Sequence, residues 1–125
     1  MAHSSNGLTA SVNASFEIAD AVWDEDVHGK LAGLIGDQKV AAIARRFRAD
    51  LQGRFSDPDD IERLRTDAHT VTSTAGMLGF TYLSNTARCV ETACQSGLHA
   101  TAPLASLLRA KEVAIDILDT RFPLS

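Results

Sequence analysis

The chain has 125 residues, 45% hydrophobic and 22% charged, with only three prolines, which is one globular domain's worth of sequence and excludes a disordered or collagen-like chain. Its formal net charge of −4 argues against a nucleic-acid binder, which would carry a basic footprint. Alanine (19 residues) and leucine (13) dominate while aromatics make up 6%, so helices are favoured over a sheet.

Residues 1–19 read as a loose tail, and 20–125 as one helical domain. The opening run to Ser15 lacks the basic and apolar regions of an export signal. Cys89 and Cys94 are too few and too close for a disulfide framework, so a reducing cytoplasm is expected. Two uncharged stretches, Thr70–Ala87 and Thr92–Leu108, are long enough to suggest membrane spans. The first, however, carries five threonines, two serines and an asparagine, so no membrane association is expected.

Asp24 is a candidate cap for a short helix to Leu34–Ile35, with Val27, Leu31, Leu34 and Ile35 on one face. Gly36-Asp37 breaks and restarts the chain. Val40, Ile43, Ala44, Phe47 and Leu51 then mark an amphipathic helix whose other face carries Arg45, Arg46 and Arg48, ending at Gly53 and Ser56-Asp57-Pro58. Asp57 reads as the next N-cap, with Pro58 at the first helical position. Ile61, Leu64, Ala68, Val71, Ala75 and Leu78 carry that helix to Gly79, and a turn around Phe80 and Thr81 follows. Leu83, Ala87, Val90 and Cys94 form the next stripe, stopped by Gly97, with Cys94 packed and Cys89 partly buried. Thr101 and Pro103 open a last helix carrying Leu104, Leu107, Leu108, Ile115, Leu118 and Phe122. The fold expected is all-α: an antiparallel four-helix bundle with a short additional N-terminal helix, monomeric.

Common catalytic signatures are missing: no Walker loop, Gly-x-Gly-x-x-Gly, His-Glu-x-x-His or Gly-x-Ser-x-Gly occurs. The Cys89–Cys94 spacing suits zinc poorly, and no Glu-x-x-His pairs exist for a bundle-core metal site. His3, His28 and His99 fall in the tail or near helix ends and read as surface residues. His69 lies mid-helix beside the core position Ala68, on the shoulder of the apolar stripe. Thr72, Ser73 and Gly76 follow on its side and are small, which leaves a path from solvent to the imidazole and makes the three a candidate docking surface. A neutral imidazole nitrogen in such a notch is a good nucleophile for an activated phosphoryl group, although a helix-shoulder histidine is also an ordinary surface feature.

With the turn centred on residue 80, the position level with His69 on the next helix is Glu91, itself beside the core position Val90. A carboxylate there can accept the proton of one ring nitrogen and leave the other bare, as the orienting acid does in hydrolase triads. The competing reading is an exposed glutamate in an ion pair of little worth.

The run from Ala68-His69 through Gly76-Met77-Leu78-Gly79-Phe80, followed by Leu83 and Val90-Glu91, resembles the histidine-containing phosphotransfer (HPt) domain of bacterial phosphorelays. His69, Ala75, Leu78, Gly79, Leu83 and Glu91 match the family's places. The resemblance is densest over about twenty-five residues, and the helix pattern extends it from roughly Asp20 onward. It implies that His69 carries the phosphoryl group and Glu91 orients its ring. It also implies receiver domains of response regulators or hybrid kinases as partners. With no receiver-like aspartate cluster or nucleotide loop in this chain, no cofactor of its own is expected, and magnesium would come with the partner. The chain would be a phosphotransfer intermediate, not a kinase.

The family usually has Lys then Gly three and four residues after the histidine, where this chain has Thr72 and Ser73. Arg88, level with Thr72, and Arg65, one turn before His69, are candidates to replace the lysine, and each can equally be a solvated surface residue. The missing lysine supports an alternative function, a phosphorylation-silent adaptor that binds receivers or other signalling proteins.

Overall fold

The computed structural model describes residues 23–97 and 101–123, so the expected tail, His3 and His99 lie outside the described residues. The helices are α1 (Glu25–Ile35), α2 (Asp37–Gly53), α3 (Ile61–Leu78), α4 (Thr81–Gln95) and α5 (Thr101–Arg121). No strand occurs among the described residues. Helices α2 to α5 pack in sequence and α5 returns to α2, which closes an antiparallel four-helix bundle with its most extensive interface between α3 and α4. Helix α1 lies against α2 and α3 as the additional element.

The expected stripes supply most of the core. Val40, Ala44, Phe47 and Leu51 of α2 meet Leu64, Ala68, Val71, Ala75 and Leu78 of α3 and Leu83, Ala87, Val90 and Cys94 of α4. On α5 the buried line is Leu107, Ala110, Ala114 and Leu118. Leu108, the residue after buried Leu107, falls off that line and is exposed, and Leu104, Ile115 and Phe122 lie half-buried at its edges.

Four other expectations are corrected. Asp57 does not cap α3. Residues 57–60 form a turn in which the Asp60 amide donates to the Asp57 carbonyl at 3.2 Å, and Pro58 suits its second position. The helix starts one turn later, capped by the Asp60 carboxylate on the Arg63 amide at 3.1 Å. Ile61, in the first turn, reaches beyond the core and is 50% exposed. Leu34 is 82% exposed, because α1 covers the bundle from outside and buries no residue fully. Cys89 is exposed rather than partly buried.

Two connections position the site helices. Between α3 and α4 the chain turns in two residues. Gly79, at φ 97°, donates to the Gly76 carbonyl and the Phe80 amide to that of Ala75, the paired bonds of a Schellman turn. Phe80 is fully buried rather than looped out, and it precedes Thr81, the first residue of α4. The Gly79 carbonyl accepts from the Asp24 amide at 2.6 Å, and a Cβ on Gly79 would stand 2.6 Å from the Asp24 oxygen. Between α2 and α3, buried Phe55 takes a left-handed φ of 64°. Asp67, 6% exposed, holds it there: one carboxylate oxygen accepts from the Phe55 amide at 3.1 Å, the other from Arg54 Nη1 at 2.8 Å. Lys111 of α5 donates to the Arg54 carbonyl at 2.7 Å, and burial pulls its ammonium below the usual lysine range.

Candidate functional site

His69 stands on α3 with its side chain 70% exposed, and its Nδ1 lies 2.8 Å from Glu91 Oε2. The helical period accounts for the meeting. Ala68 and Val90 are fully buried, so the residue after each falls on the shoulder of its helix, and the short Gly79-Phe80 turn brings the two shoulders level. The Glu91 side chain is 15% exposed, so its carboxylate is confined against the bundle while the ring reaches outward. An ionised carboxylate only accepts hydrogen bonds. In the neutral ring Nδ1 therefore carries the proton, and Nε2 keeps a lone pair on the exposed side.

The surrounding residues are small but not all open. Ser73 is exposed. Thr72 is half-buried and its hydroxyl donates to the Ala68 carbonyl at 2.7 Å, which occupies its only donor. Gly76, read from the sequence as part of the docking notch, turns toward α4 instead: a Cβ there would meet Ser84 Oγ at 3.3 Å. The two candidate cations are held elsewhere. Arg65 Nε lies 3.4 Å from Glu62, and Arg88 Nη1 lies 3.5 Å from Asn85 Oδ1. Neither is hydrogen-bonded to His69 or Glu91 in this arrangement. The charge of Arg65 is felt at Cys94, where it partly opposes burial, which pushes that thiol up.

Sequence reasoning missed Ser84 and Asp67. Ser84 is 5% exposed and donates across the helix pair to the Thr72 carbonyl at 2.8 Å. Counting back from the same turn that pairs 69 with 91 also pairs 76 with 84, so that signal was present. Asp67 interrupts the apolar stripe of α3, the usual mark of a buried polar group with a dedicated partner. His28 is not a bare surface residue either: its half-buried ring lies 5.2 Å from that of Trp23 and 5.6 Å from that of Phe122. No group of three His, Cys, Asp or Glu able to hold a metal ion occurs among the described residues. No helix among them is long and apolar enough to cross a membrane.

Among the described residues, the bundle thus presents an exposed imidazole on α3 that is oriented by a carboxylate from the neighbouring helix. The Hpt domain model matches residues 32–117, and the chain belongs to that family, whose members act in histidine phosphotransfer within phosphorelays. Comparison with curated proteins and with solved structures gives no match.

Proposed function

We propose that His69 is the phosphoacceptor of a phosphorelay intermediate, taking the phosphoryl group from the phospho-aspartate of one receiver domain and passing it to the aspartate of another. The observation that carries this reading is the 2.8 Å contact between His69 Nδ1 and Glu91 Oε2 on an otherwise exposed ring. Nε2 attacks the phosphorus of the acyl phosphate, the phosphorus–oxygen bond breaks, and its electron pair returns to the aspartate carboxylate. The ring becomes a phospho-imidazolium that keeps its proton on Nδ1 and donates it in a hydrogen bond to the Glu91 carboxylate, so positive charge develops beside a negative group already in place. The return step reverses these bonds. The transition state is loose, and most of the work lies in alignment and charge neutralisation.

Arg65 and Arg88 reach the phosphoryl oxygens only by leaving Glu62 and Asn85, exposed contacts of small worth. The partner receiver supplies magnesium and the acceptor carboxylate, and this chain does not phosphorylate itself from ATP.

The test is incubation with phosphorylated receiver domains. Wild type should take up label that is lost in acid and kept in base, as a phosphoramidate requires, and His69→Gln should take up none while keeping its helical content. Label on His69→Gln would overturn the assignment. A receiver that binds wild type without ever transferring phosphate would identify the adaptor instead.

A further inference from the structure

We propose that Ser84 is a positioning residue for the His69–Glu91 pair, setting through its hydroxyl the separation and register of α3 and α4. Among the described residues two side-chain hydrogen bonds cross between these helices: His69 with Glu91, and Ser84 Oγ to the Thr72 carbonyl at 2.8 Å. The second is buried, Ser84 being 5% exposed, whereas the first has one free side because the His69 side chain is 70% exposed. The imidazole is thus oriented by whatever fixes α4 against α3, one turn from Thr72.

Gly76 completes the device. A methyl group at that position would stand 3.3 Å from Ser84 Oγ and 3.8 Å from Ser84 Cβ. The first distance is tight and the second is ordinary contact, so the hydroxyl oxygen rather than the Ser84 Cβ is what the glycine accommodates. Any residue larger than glycine pushes on an oxygen whose hydrogen bond leaves it little freedom to move. The wedge acts about 10 Å along α3 from His69, on the face it shares with α4. A 2.8 Å hydrogen bond weakens within a few tenths of an ångström, so a small splay of the pair is felt at the ring.

The inference rests on the phosphoacceptor reading only for its kinetic consequence, and the decisive measurement needs no phosphate. In 15N-labelled protein above the titration of histidine, the His69 ring signals report which nitrogen holds the proton. Wild type should show the Nδ1–H form, and Glu91→Ala the mixture of a free imidazole. Ser84→Ala should move the signals toward that mixture and slow single-turnover transfer by roughly three- to tenfold, the scale of one hydrogen bond. Gly76→Ala should move them as well, but have no further effect in a Ser84→Ala background, where the tight contact is gone. Leu107→Ala on α5 should lower stability and leave the ring signals unmoved, which separates positioning from general loosening.

Wild-type ring signals in folded Ser84→Ala, or independent effects of Ser84→Ala and Gly76→Ala that simply add, would overturn the proposal. If Ser84→Ala does not fold, the Gly76→Ala signals decide it: unchanged signals overturn it and shifted ones support it. A wild-type protein that accepts no phosphate but shows these ring responses would instead fail the phosphotransfer reading alone.

Discussion

His69 and Glu91 are paired at opposite exposure: the ring stands out toward solvent and the carboxylate stays with the bundle. A hydrogen bond to a charged group contributes about 1.5–3 kcal/mol. If that contribution is made in the transition state, Glu91→Ala slows transfer roughly ten- to a hundredfold. Glu91→Gln, which keeps an acceptor oxygen but loses the charge, should fall between, and single-turnover kinetics with a phosphorylated receiver order the three proteins. The cysteines give a second expectation. Cys89 is exposed, while Cys94 is buried and its thiol pushed up by that burial. A thiol reagent at mildly alkaline pH should modify Cys89 rapidly and Cys94 only as the bundle opens, since burial both shields the Cys94 sulfur and disfavours its thiolate. Two equal fast phases would contradict the packing of α4. At this scale the sequence was readable where periodicity decides. The shoulder positions of His69 and Glu91 follow from their core neighbours, whereas the direction in which the Ser84 hydroxyl donates follows from atomic distances that no pattern of residues contains.

The α2–α3 connection shows what a single acid does for an element. Asp67 receives the Phe55 amide and the Arg54 guanidinium, and Phe55 sits in the left-handed region that disfavours any side chain by about 1–2 kcal/mol. Replacing the acid strands a buried amide and releases the strained residue. Asp67→Ala should therefore cost about 2–3 kcal/mol, read as a lower urea midpoint with an unchanged slope. A loss within experimental error would mean that the connection is held by Phe55 packing alone. Helix boundaries were the weaker part of the sequence reading for a related reason. Asp57 and Asp60 each stand where a cap can form, and the choice depends on whether Pro58 opens a helix or a turn. Leu34 and Ile61 have the right spacing, but they sit at helix ends that project past the core, where period no longer implies burial.

For the molecule as a whole, the all-helical bundle was legible because each of its four helices carries a continuous stripe, while the way α1 is fastened was not. Trp23 Nε1 donates to the Leu78 carbonyl at 3.2 Å, and the Arg121 guanidinium lies 4.9 Å from the centre of the indole while bonding Glu25. The entry to α1, the end of α3 and the end of α5 thereby meet at one place. Gly79 is the tightest point, with a positive φ and the Asp24 oxygen where a side chain would begin. Gly79→Ala should both strain the turn and push away the start of α1, at a cost above about 1 kcal/mol. Trp23 is the chain's one tryptophan, so its emission should report the displacement directly. Unaltered emission and stability in Gly79→Ala would show that the clasp tolerates the methyl.

His69 and Glu91 are separated by 22 positions in the chain and joined by a two-residue turn. Loop-closure entropy rises only logarithmically with span, so a pair this near in sequence is brought together at small entropic expense. The proposed acceptor and the acid beside it thus belong to one local helical hairpin instead of being gathered from opposite ends of the chain. Such a unit can hold its chemistry while α1 frays or the outer faces of α2 and α5 drift in sequence.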